Sequence, residues 1–291
     1  MATISISIPE PTPQESLLSL KGKCAIVTGG SRGIGEAIVH RLSEAGASVV
    51  FTGRGLDGLK KVEAAITARG GQALGVQADM ANLPELQKVV DQTIERFGGV
   101  NILVNNAAVF PASIFLETSE KMWHQTVNAD LMGPYFLAQY TAEAMIKAAH
   151  GGRIINILST DALRPTGILS AYGAAKLGLW SATQAMAKEL AAHQILVNAV
   201  TSGSTITQER IDGFASGKLG ANEAPADAPK TRAMMEAVSK SGGFEQMFKM
   251  LPLGRPGFPD EIAKAVLFLA SDMGSYVNGS NIVVDGGQML R

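Results

Sequence analysis

Seven short runs of apolar and β-branched residues recur along the chain, at 24–28, 48–52, 73–77, 102–105, 153–158, 196–200 and 281–285. Between them lie longer stretches in which apolar positions return every three or four residues: 35–45, 56–69, 84–97, 131–149 and 171–192. The short runs are continuous rather than alternating, so both faces of each strand are covered, as in a parallel sheet. Such strand–helix alternation with right-handed crossovers predicts an α/β fold: a single doubly wound domain over 21–291, built on a parallel seven-stranded sheet. One stretch, 204–251, breaks the alternation. It is rich in Gly, Ala, Met and Pro and shows helical period only around 233–238 and 244–250. An excursion of that length predicts a functional, mobile insertion, read here as a substrate lid. Residues 1–20 carry three prolines and no Lys or Arg, the pattern of a flexible tail ahead of the domain.

Charge narrows the list of partners. Lys+Arg 25 against Asp+Glu 26 leaves a formal net charge of −1, which offers no general attraction to nucleic acid or an anionic membrane. No apolar run approaches the ~18 residues of a membrane span, and the first twenty residues lack a secretory or transit pattern, so a cytoplasmic protein is expected. The single cysteine, Cys24, has no disulfide partner, and His40, His124, His150 and His193 follow no ligand spacing; no metal site is expected. Glycine changes the picture most. There are 32 glycines in 291 residues, above the usual ~7%, and glycine serves where backbone turns sharply or approaches a ligand.

The first strand runs into Thr28-Gly29-Gly30-Ser31-Arg32-Gly33-Ile34-Gly35, which opens a helix. Glycines in that strand–turn–helix setting let backbone approach a pyrophosphate, whose charge sits on the helix N-terminus. Further along come Asp79, Asn105-Asn106-Ala107-Ala108, Ser159, Tyr172-xxx-Lys176, Asn198 and Val284-Asp285-Gly286-Gly287. Together with the spacing Gly29-xxx-Gly33-x-Gly35, these resemble the motifs of the short-chain dehydrogenase/reductase family across residues 20–291. The resemblance implies a Rossmann-type domain, an oxidoreductase acting on a carbonyl or alcohol, and a homotetramer. It places Gly29, Ser31, Arg32, Gly33, Ile34 and Gly35 at the coenzyme pyrophosphate, Asp79 with Met80 at the adenine, and Asn105 with Ala107 at the adenosine-side ribose. Thr205 and Thr207 align with positions that meet the nicotinamide.

Coenzyme choice can be argued from charge. An NAD site places an acid at the end of the second strand for the ribose 2′-hydroxyl, whereas here Gly53 stands there, followed by Arg54. Arg54 and Arg32 could converge on a 2′-phosphate, so NADPH/NADP+ is the expected cofactor. Reduction of a carbonyl needs a proton donor; Tyr172 can serve, with Lys176 four residues on along the same helix face to stabilise tyrosinate. Ser159 closes the fifth strand and can orient the carbonyl. The family's fourth catalytic residue is an asparagine, and the register from Trp123 to Gly133 puts Asp130 there, with Asn128 two residues earlier. Asp130 could accept from a relay water, but its charge would favour neutral Tyr172. Phe214, Met234, Met235, Phe244, Met247, Phe248 and Met250 suggest a lid selecting a bulky apolar substrate, with Phe110, Leu163 and Tyr135 available to complete the pocket. The alternatives are an NAD-linked alcohol dehydrogenase working oxidatively and a catalytically impaired nucleotide-binding regulator.

Overall fold

The computed structural model describes residues 10–215 and 225–290; the side chains of residues 214, 215 and 243–245 fall outside that description. The expected readings for residues 1–9, for residues 216–224 and for the side chains of Phe214 and Phe244 therefore lie outside the described residues.

Each apolar run forms a strand. In chain order these are β1 (Cys24–Val27), β2 (Ser48–Gly53), β3 (Ala73–Gln77), β4 (Ile102–Asn105), β5 (Gly152–Ser159), β6 (Ile195–Ser202) and β7 (Asn281–Val284). They pair in the order β3-β2-β1-β4-β5-β6-β7, parallel throughout. The order reverses direction between β1 and β4, and in open parallel sheets such a switch point opens a crevice beyond the carboxyl ends of the strands.

Helices cover both faces. α1 (Gly33–Glu44) and α2 (Leu56–Thr67) lie on one side, where Ile38, Leu42, Val62 and Ile66 pack with Val27, Val49 and Phe51. On the other side α3 (Leu83–Phe97) meets a long helical unit: α4 (Glu120–Val127), a wide π-type turn at Asn128–Met132, and α5 (Gly133–Ala148). There Leu86, Val90, Leu137 and Met145 pack with Ile26, Leu103 and Ile154. The sequence pattern marked only 131–149 of this unit. α6 (Thr160–Leu163) is a single turn, and α7 (Ser170–Leu190) returns along the same face. After β6 come α8 (Gln208–Ala215), α9 (Pro229–Lys240) and α10 (Gly243–Lys249), so the helical piece read at 233–238 is part of a longer element and the one read at 244–250 is offset by one residue. α11 (Pro259–Ala270) then joins the first face, its Ile262, Val266 and Leu269 in the same core as α1.

The centre of the second face carries a buried polar chain. Asn105 Nδ2 donates to Asn156 Oδ1 at 2.9 Å and to the Pro134 carbonyl at 3.1 Å. Asn156 Nδ2 donates to Thr183 Oγ1 at 2.9 Å, and that hydroxyl donates to the Leu179 carbonyl at 2.7 Å. Side-chain amides thus tie β4, β5, α5 and α7 together where apolar packing alone would leave their register free. Leu20, buried at 2% exposure, donates its N–H to the Ala45 carbonyl and fixes the start of the domain.

Candidate active site

The glycine turn is shaped by close approach. Gly29 and Gly33 have φ of 67° and 59°, conformations that side chains beyond glycine rarely adopt. A Cβ at Gly35 would lie 2.1 Å from the Gly29 carbonyl oxygen, so only glycine lets α1 start this close to the strand. Thr28 Oγ1 accepts from the N–H groups of Asn106 and Ala107 at 2.9 and 3.0 Å, locking the end of β4 against the turn. Ala108, which follows, has no positive φ, so an alanine leaves this backbone unstrained.

The first turn of α1 has no side-chain cap, its N-cap being Arg32. Its free N–H groups and positive dipole end therefore suit a phosphate. Arg32 and Arg54 are exposed on either side of the turn, and among the described residues neither enters an ion pair. Ser31 fills the space beside Gly53: a Cβ there would sit 2.7 Å from Ser31 Oγ, which explains why no larger side chain ends β2. Asp79 is exposed beyond β3, its Oδ1 accepting from Ala81 N–H at 2.9 Å, while Met80 is buried and its carbonyl faces Gly133. Ile34 packs partly into the core and Ala107 packs on Gly29. Thr207 closes on the turn from the segment after β6, 3.2 Å from the Cβ position of Gly33. Thr205 is buried, its hydroxyl 3.0 Å from Ser202 Oγ. Asn105 is 1% exposed; its Nδ2 is committed to Asn156 and Pro134, while its Oδ1 is buried without a partner among the described residues.

Ser159 and Ser202 are paired at the carboxyl edge of β5 and β6. Ser159 caps α6, its Oγ accepting from Asp161 N–H at 3.1 Å. Tyr172 stands one turn before Lys176 on α7, with the lysine nitrogen 5.7 Å from the ring centroid and the Phe110 ring packed at 5.4 Å. Lys176 is 1% exposed, and Asp130, on the π-type turn, is fully buried. One Asp130 oxygen accepts from Val109 N–H at 2.8 Å; the other has no partner in the described structure.

Electrostatics here differ from the expectation of a lysine-lowered tyrosine. Burial, and then the charge of Asp130, push the Tyr172 hydroxyl above its ordinary range, against a smaller pull from the Ser159 hydrogen bond. Burial lowers Lys176, with Asp130 opposing the change. Burial raises Asp130 to about 6, with Lys176 and the Val109 N–H pulling the other way. Desolvation of the half-buried phenol, with the charge of Asp130 acting in the same direction, outweighs any help from the ammonium. Tyr172 therefore rests protonated.

The sequence missed Asp161. It is 4% exposed, accepts at Oδ1 from the N–H and Oγ1 of Thr166 at 2.9 and 2.6 Å, and leaves Oδ2 buried without a partner beside Gly173. Its only signal was an acid two residues past Ser159. Arg164 and Gln288 also reach this mouth: Arg164 donates to the Met289 carbonyl at 3.3 Å, and Gln288 Oε1 accepts from Ser204 N–H at 2.8 Å. Tyr135 sits instead on α5, half exposed and edge-on to Phe136 at 5.5 Å.

A glycine turn at the switch point and a Ser–Tyr–Lys group beyond β5 place the chain in the class of nucleotide-dependent oxidoreductases. A family model described as short chain dehydrogenase matches residues 23–214, and another described as Enoyl-(Acyl carrier protein) reductase matches residues 222–289. The chain belongs to the short-chain dehydrogenase/reductase family. It is 36% identical over 273 residues to an L-rhamnose 1-dehydrogenase (NAD(P)(+)) of Azotobacter vinelandii, covering 92% of this chain and 97% of the relative. It is 33% identical over 271 residues to a 3-oxoacyl-[acyl-carrier-protein] reductase of Aquifex aeolicus, with 93% and 98% covered. A crystal structure of a putative NAD(P) dependent gluconate 5-dehydrogenase from Beutenbergia cavernae, with bound NADP, superposes with a TM-score of 0.80 at 30% identity, covering 95% of this chain and 100% of that one.

Proposed function

We propose that this oxidoreductase is an NADPH-dependent reductase of ketone or aldehyde carbonyls, with Ser159, Tyr172, Lys176 and Asp130 as its catalytic group. The reading rests on one arrangement: a protonated, half-buried tyrosine beside a serine hydroxyl at the carboxyl edge of the sheet, with a buried lysine one turn away. The coenzyme, when bound, supplies the hydride. Ser159 orients the carbonyl oxygen, and Tyr172 Oη gives that oxygen its proton as charge develops there. Lys176 steadies the tyrosinate left behind, and Asp130 holds the lysine's charge in a site where burial works against it. Arg32 and Arg54 are the basis for preferring NADPH: both are exposed cations flanking the turn, and no acid ends β2.

The segment 204–251 is proposed as the lid. Met234, Met247 and Met250 are 39%, 37% and 58% exposed, left available rather than packed away, which favours a bulky apolar substrate. A second reading, a polyhydroxylated carbonyl compound, is favoured by the polar mouth of Asp161, Arg164 and Gln288. Relatives named for L-rhamnose and 2-dehydro-3-deoxy-D-gluconate point the same way. Trp123, Tyr135, Ile146 and Leu177 are exposed on α4, α5 and α7, an apolar face that suits pairing in a homotetramer. The deciding experiment follows NADPH and NADH oxidation with aromatic ketones, an acetoacetyl thioester and keto sugars, and NADP+ reduction with L-rhamnose. Failure of the whole panel with both coenzymes would sink the reading; keto sugars alone turning over would select the second substrate class.

A further inference from the structure

The segment that follows β4 does more than line the cleft. Its Phe110 packs on Tyr172. Three residues later, buried Ser113 bridges to Leu169, its N–H donating to the Ile168 carbonyl at 2.8 Å. The Leu169 carbonyl in turn accepts from Gly173 N–H at 2.8 Å, closing the first turn of α7 beside Tyr172. Next, Ile114 N–H donates to Thr231 Oγ1 on α9 at 3.0 Å. The strap ends in a short turn, Phe115–Glu117, whose Phe115 and Leu116 project outward at 77% and 86% exposure. Glu117 alone turns in.

Its carboxylate accepts from Lys230 N–H at 2.9 Å, Thr231 N–H at 2.8 Å and Thr231 Oγ1 at 2.7 Å. α9 needs this. Its own N-cap, Ala228, supplies no side-chain bond, and its first turn carries no acid. A residue 113 or more positions away in sequence satisfies the orphan donors and meets the positive end of the helix. The rest of α9 is held lightly: only Thr231 and Met235 are buried on it, so the clasp carries a large share of its attachment.

We propose that Glu117 is a positioning residue, clasping α9 across the cleft and, through the strap from Phe110 to Glu117, coupling the placement of that lid helix to the first turn of α7 that presents Tyr172. The functional part of this inference rests on the proposed carbonyl-reductase reading; the mechanical part does not.

The test is amide hydrogen exchange on the free, full-length protein, comparing wild type with Glu117→Ala, Glu117→Gln and Thr231→Val. Glu117→Ala is expected to speed exchange in peptides covering 229–238 about tenfold or more, as for a lost helix cap. A smaller acceleration is expected in 168–175, with none in 152–159. Glu117→Gln, which keeps an acceptor oxygen, should recover part of the protection, and Thr231→Val, which removes the hydroxyl but leaves both backbone N–H bonds to Glu117, should give a smaller acceleration than the alanine variant. Steady-state kinetics with the fastest compound of the carbonyl panel should then show KM for that compound rising at least fivefold in Glu117→Ala. KM for the coenzyme should stay within twofold and kcat should change less than KM. Unchanged exchange in 229–238 would overturn the clasp, and faster exchange there with 168–175 untouched would overturn the coupling. A fall in kcat with no change in the substrate KM would overturn the positioning role. Failure of the reductase reading itself would show instead as no turnover by wild type, while the exchange results stood.

Discussion

Asp130→Asn tests the electrostatic account of the site at its most unusual residue. The substitution keeps an oxygen for the Val109 N–H, 2.8 Å away in the native protein, and removes the charge that burial disfavours. Folding raises the Asp130 pKa from the ordinary 3.8 to about 6, and each unit is worth ~1.4 kcal/mol, so the ionised carboxylate costs the native state about 3 kcal/mol. The folded protein holds this proton more tightly than the unfolded chain. The penalty is therefore absent below pH 3.8, grows between 3.8 and about 6, and is complete above that range. Lys176, lowered by burial, binds its proton less tightly when folded than when unfolded, and losing Asp130 deepens that difference. It therefore also tilts the variant toward greater relative stability at higher pH. Denaturant unfolding of both proteins from pH 4 to 8 should show Asp130→Asn gaining on wild type by roughly 2–4 kcal/mol across that range. Activity should follow the same charge. Removing a buried negative charge near the phenol lowers the Tyr172 pKa, so the pH profile of kcat/KM should lose its limb near 6 with activity kept or raised. Stability curves that run parallel over the whole range would refute the buried-charge account. A loss of activity beyond tenfold would show that the carboxylate itself is required.

Three further outcomes are expected. Tyr172→Phe should lower kcat by ~10²–10⁴ while coenzyme dissociation stays within about twofold, because it removes the proton donor and little volume; turnover above about a tenth of wild type would oppose the assignment. Arg54→Ala should weaken NADPH but not NADH binding by roughly 10- to 100-fold, as loss of a charge-assisted bond to a 2′-phosphate would, with titration of both coenzymes as the check. Gly35→Ala should destabilise the protein by ~1–3 kcal/mol or more and weaken both coenzymes, since its Cβ would stand 2.1 Å from the Gly29 carbonyl; thermal unfolding and coenzyme titration measure it.

What was legible in the sequence was what is written in periodicity. All seven strands lie within two residues of the apolar runs at either end, because the covered strands are apolar at nearly every position and their few polar residues are isolated. The glycine turn and Tyr172-xxx-Lys176 were legible because their chemistry fixes spacing along the chain. The π-type turn at Asn128–Met132 was not: it widens the helix by one residue through backbone bonding, and no side-chain pattern marks it. Arg164 and Gln288 reach the mouth by long-range placement, and the burial of Asp161, two residues past Ser159, depends on the packing of α6 against α7. Glu117 shows the same limit, since the helix it caps lies 113 residues on. The opposing charge of Asp130 on Tyr172 was legible from the register; the larger effect, desolvation of the phenol, was not.

The amide chain of Asn105, Asn156 and Thr183 has a consequence for how this chain can vary. Each member completes the next, at 2.9 Å in both links, so changing one to an apolar residue strands its neighbour in the core at ~1–3 kcal/mol. Replacing all three with apolar residues of matching shape would strand no side-chain partner, would remove the orphan at Asn105 Oδ1, and can be nearly neutral. The three positions are thus a single mutational locus: every stepwise route to an apolar centre crosses a valley, and only a concerted exchange goes around it. A combinatorial library at these positions would return the native trio and fully apolar trios, with the mixed combinations missing.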